Sequence, residues 1–211
     1  MTLHAIAIWV VANKIEIAGF ITTLLGIWLT TKRLLICWPV TLLADILYFV
    51  VFYQAGLFSD SLLQIFFVAF TLYGWWHWWR GVREQGEVRV VPLGLRSALI
   101  AMAVGAVGAV VLSRLMLYLG AQLHVIIALP HLDAVLASYS LVASWWGARK
   151  HIANWWLWIV VDLVYIGEYI YKDLWPTALL YLLLVGLAAL GWWDWRKAEN
   201  FQIRSEHEEE V

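Results

Sequence analysis

The sequence predicts an all-α membrane protein with seven transmembrane helices, arranged as two parallel three-helix repeats joined by a single helix. Three observations lead there. The 211 residues are 64% hydrophobic and 14% charged, with a mean hydropathy of +0.78. A soluble domain carries roughly 45–50% apolar and about 25% charged residues. The apolar runs approach the length of about 20 residues that a helix needs to cross the hydrocarbon, whereas barrel strands are shorter and alternate. Finally, the chain repeats itself. A shift of 117 residues without a gap pairs Trp28 with Trp145, Trp38 with Trp155, Asp45 with Asp162, Tyr48 with Tyr165 and Gly74-Trp75-Trp76 with Gly191-Trp192-Trp193.

Taken in order, residues 1–14 are apolar but too short to cross, and form an interfacial segment or an extension of the first helix. The first repeat, 15–80, holds spans 15–31, 36–54 and 58–79. A linker, 81–131, holds the fourth span, 94–118. The second repeat, 132–197, holds spans 132–148, 152–171 and 174–195. Residues 198–211 are expected to be a cytoplasmic tail, with an acidic, solvated and disordered end at Ser205–Val211. Pro39 and Pro176 fall in first helical turns, where a missing N–H costs little, and Pro92 precedes the fourth span. Cys37 is the only cysteine, so no intrachain disulfide forms. The start of the chain lacks a basic region followed by a small-residue cleavage site, so no removable signal peptide is expected.

Orientation follows from charge. Of the 14 Lys and Arg residues, eleven fall on one side of a seven-span arrangement: Lys32, Arg33, Arg80, Arg83, Arg89, Arg96, Arg149, Lys150, Arg196, Lys197 and Arg204. Only Lys14 and Lys172 fall on the other, and Arg114 lies within the fourth span. The positive side faces the cytoplasm, so the N-terminus is expected outside and the C-terminus inside.

The sixth span, Asn154–Tyr171, has an acid, Asp162, near its middle. Trp155, Trp158, Asp162, Tyr165 and Tyr169 follow at steps of three and four and so share a helix face. The second span repeats the pattern with Trp38, Thr41, Asp45, Tyr48 and Phe52. A carboxylate at this depth costs about 2.5–3.5 kcal/mol on insertion scales, so both acids should face a bundle interior or a water-filled path. Aromatic faces around a carboxylate suit a flat cationic solute. The competing reading makes both acids structural: hydrogen-bonded to Tyr48, Tyr165 or Arg114, or protonated. Gln64 in the third span is a further candidate, since an amide in hydrocarbon must find a partner. Thr22, Thr23, Ser138, Ser140 and Ser144 more often satisfy backbone carbonyls. Asn154 reads equally as a helix cap. Glu16 and Asp133 match across the repeat at helix N-termini, where the dipole explains them.

The clusters Gly74–Trp79 and Gly191–Trp195 read as an interfacial aromatic belt, with His77 and Asp194 matched as a weaker inner-gate candidate. His124 and His131, seven apart with no cysteine nearby, make no zinc site. No phosphate-binding glycine loop, nucleophile elbow or basic nucleic-acid face occurs. Neither an enzyme nor a resident cofactor or metal is therefore expected, and the partners are a small cationic-ring solute and membrane lipid, with self-association left open.

The segments LLQIFFVAFTLYGWWHW (Leu62–Trp78), ARKHIANWWLWIVVDLVYIGEYIY (Ala148–Tyr171) and GWWDW (Gly191–Trp195) resemble the PnuC family of bacterial vitamin transporters, over about Glu16 to Lys197. The resemblance implies a SWEET-like 3+1+3 fold in the inner membrane. It also implies uptake of nicotinamide riboside by facilitated diffusion, with trapping by cytosolic phosphorylation and other branches carrying thiamine or riboflavin. By motif it places Asn154, Trp155 and Trp158 on the substrate, with Gln64 opposite. Asp45 and Asp162 depart from the asparagine of many members. They favour a positive solute, which nicotinamide riboside and thiamine both are and riboflavin is not. A thiamine transporter or a proton-coupled carrier are the alternatives.

Overall fold

The computed structural model describes residues 14–54, 58–123, 129–171, 173 and 175–209. The interfacial segment expected at the N-terminus, the Ala55-Gly56 turn, His124 and Lys172 lie outside them, apart from Lys14, which opens the first helix. Among the described residues the chain forms seven helices: α1 (Lys14–Thr31), α2 (Cys37–Gln54), α3 (Phe58–Gln85), α4 (Leu95–Leu123), α5 (Pro130–Ala148), α6 (Ala153–Tyr171) and α7 (Trp175–Glu209). Four of them, α1, α2, α4 and α7, contain a stretch long and apolar enough to cross a membrane. The other three carry the Trp, Tyr and Ser residues that lower mean hydropathy. Ile21, Leu25, Leu43, Ile46, Val107, Val110, Leu182 and Leu183 are exposed. Apolar cover on this scale belongs against lipid, and the molecule is a multi-pass membrane protein.

Three helices overrun their expected spans, α4 by more than a turn to Leu123. α3 continues through an Arg80–Glu84 ion pair at 2.7 Å and stops where Gly86, at φ +79°, takes the left-handed conformation of a helix C-cap. α7 continues through an Arg196–Glu199 pair at 2.7 Å, and its last turns hold no proline or glycine to break them. The tail expected to be disordered is therefore helical to Glu209, with Ala198 and Gln202, one turn apart, both buried.

Neighbouring helices close a ring. α1 packs on α2, α2 on α3, α3 on α5, α5 on α6, α6 on α7, and α7 back on α1. α4 packs on the outside of α5. A Cβ at Gly105 would lie 2.8 Å from the Tyr139 ring, and one at Gly108 would lie 2.5 Å from Ser138 Oγ, so small residues let these two backbones approach. Ser138 donates to the Gly105 carbonyl at 2.8 Å, and the His131 ring meets the Ser113 hydroxyl at 2.5 Å.

The ends of α1 and α5 share one device. Leu34 N–H bonds Leu29 O and Arg33 N–H bonds Thr30 O, with Arg33 at φ +56°. His151 N–H bonds Trp146 O and Lys150 N–H bonds Gly147 O, with Lys150 at φ +66°. Both are Schellman stops, and both put a basic residue where glycine is usual. The inner carbonyl of each stop has a second donor from the opposite segment: Trp78 Nε1 donates to Gly147 O at 3.2 Å, and Trp195 Nε1 donates to Thr30 O at 3.0 Å. The bond is thus exchanged between positions 117 apart.

Around these bonds four indoles form the centre of the core. Trp78 and Trp195 lie 5.7 Å apart, Trp38 meets Trp78 edge-on at 5.1 Å, and Trp155 meets Trp195 edge-on at 5.5 Å. Trp38 lies over Gly74 and Trp155 over Gly191: a Cβ would come within 2.0 Å and 2.5 Å of the rings. The tryptophan clusters are therefore not wholly an aromatic belt. Trp78 and Trp195 are fully buried, while Trp76, Trp79 and Trp193 stay exposed beneath Arg80, Arg83 and Lys197. One face of each helix end packs inward and the other meets the interface.

Candidate functional site

On α6 the buried residues Asn154, Trp155, Val161, Asp162 and Glu168 alternate with exposed Trp156, Val160, Leu163 and Val164 at helical spacing. Asp162 is only 3% exposed, which puts the carboxylate inside the protein and the aliphatic face toward lipid. Its counterpart Asp45 is half-buried, and its Oδ2 accepts a 2.7 Å hydrogen bond from Thr71 on α3. The position matching Thr71 in α7 is Ala188, so no such hydroxyl serves Asp162. Arg114, the one basic residue within the fourth span, lies exposed on α4.

The aromatic columns diverge too. Tyr48 stacks on Phe52 at 5.6 Å and lies against Gly19 of α1. In the second segment Tyr165 stacks on Tyr169 at 5.8 Å, and Tyr181 of α7 packs against both at 4.8 and 5.1 Å. Three tyrosine rings thus gather on the Asp162 side. Hydroxyls and ring faces beside a carboxylate provide acceptors, donors and π-surface for a flat polar solute.

Of the remaining sequence candidates, the tryptophans and Asn154 fall nearer the basic end. Trp38 and Trp155 are buried in the four-indole core, yet among the described residues neither Nε1 has a hydrogen-bond partner. A buried donor left unpaired costs about 1–3 kcal/mol, which makes these two positions notable. Trp158 is half-buried against the same core. Asn154 Nδ2 donates to His151 O at 2.6 Å, so it caps the start of α6. Gln64 is half-buried on α3. Thr22 donates to Ala18 O and Ser144 to Ser140 O, as their residue types suggest.

Sequence reading missed Thr71, Tyr181 and Glu168. Tyr181 had a usable signal, since it stands 117 positions after Gln64, a residue already singled out. Thr71 pairs with an alanine and so leaves no trace in the repeat. Glu168 is buried, six residues after Asp162.

The family model described as nicotinamide mononucleotide transporter matches residues 13–197. The nicotinamide riboside transporter PnuC of Escherichia coli (strain K12) is 25% identical over 197 residues, covering 84% of this chain and 82% of that protein. The riboflavin/roseoflavin transporter RibM of Streptomyces davaonensis is 30% identical over 185 residues, covering 85% and 81%. The crystal structure of the vitamin B3 transporter PnuC matches with a TM-score of 0.69 at 23% identity, over 92% of this chain and 86% of that one, a likeness of fold.

Proposed function

Since the chain belongs to the nicotinamide mononucleotide transporter family, a family of membrane transporters rather than enzymes, we propose that it carries a nicotinamide-riboside-like vitamin into the cell. The observation that carries this reading is Asp162, buried beside three tyrosine rings with no hydroxyl like that of Thr71 at the matching position. A cationic pyridinium ring fits that chemistry through charge and quadrupole together. The named activity of the Escherichia coli relative supports the same solute class.

We read the seven helices as a SWEET-like 3+1+3 arrangement, with residues 15–80 and 132–197 as parallel repeats about an axis between Trp78 and Trp195. The exchanged indole bonds and the ring of six helices with α4 outside support it. The solute path runs between the repeats, with Asp45, Tyr48, Gln64, Asp162, Tyr165 and Tyr169 along it and Trp38, Asn154, Trp155 and Trp158 at its inner end. The unpaired Nε1 groups of Trp38 and Trp155 are donors that a bound solute satisfies. In an inner-membrane orientation with the C-terminus cytoplasmic, the four-indole core closes the cytoplasmic end. Alternating access then breaks the Trp78–Gly147 and Trp195–Thr30 bonds, and transport runs by facilitated diffusion.

Riboflavin is a second reading, favoured by the 30% identity to RibM, although a neutral solute gains less from Asp162. Tryptophan-fluorescence titration of purified protein with nicotinamide riboside, thiamine and riboflavin in parallel discriminates them. Saturation by nicotinamide riboside that is lost in Asp162→Ala supports the site. Unchanged affinity in that variant removes Asp162 from it.

A further inference from the structure

A cavity of about 340 Å³ opens at the basic end of the bundle, between α3 and the loop joining α5 to α6, with Trp76, His77, Arg80, Glu84 and Lys150 among its walls. Lys150 is 94% buried (6% exposed). Its Nζ lies 2.7 Å from where a Cβ on Gly81 would stand, so the ammonium rests against that glycine. Among the described residues no hydrogen bond or ion pair reaches that Nζ. The other charges are committed elsewhere. Glu84 is paired with Arg80 at 2.7 Å, and Arg149 donates to the Tyr73 hydroxyl at 3.1 Å while lying over Trp145. Burial lowers the Lys150 pKa from the ordinary lysine value, an effect that the Glu84 carboxylate opposes.

The matching place in the other segment shows what is missing. At the 117-residue offset, Lys32 stands for Arg149, Arg33 for Lys150, Asp194 for His77 and Ala198 for Gly81. There Lys32 Nζ meets Asp194 Oδ2 at 2.7 Å, and the basic loop has its carboxylate. Around Arg149 and Lys150 the matching carboxylate is a histidine and the alanine a glycine, and the carboxylate that does stand in the cavity wall, Glu84, is bonded to Arg80.

We propose that this cavity binds a phosphate group carried on a small organic body, which brings an anion to the basic loop Arg149-Lys150 as Asp194 does to the loop of Lys32 in the other segment. Lys150 offers a point charge, and Arg80, whose Nε is held by Glu84, keeps its terminal N–H groups for a phosphate oxygen. The volume exceeds that of a bare ion, and the exposed Trp76 ring beside it gives a flat surface for the organic part. A nucleoside monophosphate and an anionic lipid headgroup both carry this chemistry. The site is independent of the Asp162 reading.

The test is calorimetric titration of the full chain in phosphatidylcholine nanodiscs with adenosine 5′-monophosphate, with adenosine as control. Saturable binding of the monophosphate alone is expected, weakened about tenfold or more in Lys150→Met, the loss of one charge-assisted bond. His77→Asp, which restores the acid of the other segment, is expected to abolish it, and Lys32→Met to leave it unchanged. If the monophosphate does not bind but phosphatidylglycerol discs raise the melting temperature of the wild type and not of Lys150→Met or His77→Asp, the phosphate is a lipid's and the site stands. Wild type and His77→Asp behaving alike toward both probes overturns it, including where Lys150→Met fails to fold.

Discussion

The two three-helix segments, α1–α3 and α5–α7, agree closely at the basic end of the bundle and part company near mid-depth. At the basic end each carries a left-handed basic residue at a Schellman stop, an indole laid over a glycine, and an indole donating to the other segment's carbonyl. At mid-depth Asp45 has Thr71, whereas Asp162 has an alanine in that place and a nest of tyrosines instead. Each segment supplies the other's partners where they touch, so a change on one side there must be met on the other. Residues that face the interior carry no such obligation. On the proposed reading, divergence there reports the solute, and divergence at His77 against Asp194 marks the second proposed ligand site.

The largest effect expected from breaking the likeness is at the glycines. Gly74→Ala and Gly191→Ala drive a methyl into the Trp38 and Trp155 rings, where overpacking costs about 1–3 kcal/mol or more. Both should lower the melting temperature in detergent, and Gly74→Ala more, given its closer approach. Equal tolerance of both would break the packing account.

Next comes the mid-depth contrast. Asp162→Asn keeps the shape but removes the charge, and should weaken vitamin binding about tenfold or more by the loss of one charged contact. Asp45→Asn should weaken it less, because Thr71 already occupies that carboxylate. Titration of both variants side by side reads the difference, and equal losses would return the two columns to equivalence.

The exchanged indoles sharpen the comparison further. Trp78→Phe and Trp195→Phe each remove one N–H donor to a helix-stop carbonyl, worth about 0.5–1.5 kcal/mol. Because the rings stand 5.7 Å apart, their double variant should be non-additive in thermal unfolding. The smallest effect falls on the surface pair: Lys32→Met should change stability by about 0–1 kcal/mol, less at high salt, since both partners are partly solvated.

The helices themselves were legible because membrane thickness dictates their length. The inward aim of Asp162 was legible because burial of an acid leaves a helix only one acceptable face. Membership of the family was legible in the Asn154–Tyr171 and tryptophan-rich segments. The fate of individual tryptophans was not. Nothing local separates Trp78 from Trp79, yet one is fully buried and the other meets the interface beneath Arg83, a choice made by the carbonyl of Gly147 far along the chain. The bond from Thr71 to Asp45 was hidden because it crosses helices without a counterpart. The helical end of α7 was hidden because a run of acids reads as a solvated tail, while the turn at Ala198 and Gln202 that buries it depends on tertiary contact.

The carbonyls of Thr30 and Gly147 each do two jobs, ending a helix and receiving an indole from the opposite segment. Neither segment therefore contains its own lock: each holds one key and the other's keyhole. A lone triplet leaves an indole and a stop carbonyl without these partners, and two copies of one triplet could satisfy both by facing each other. Such mutual completion is the condition under which a doubled gene can replace a symmetric pair of shorter chains. Releasing one segment strips the other of a bond.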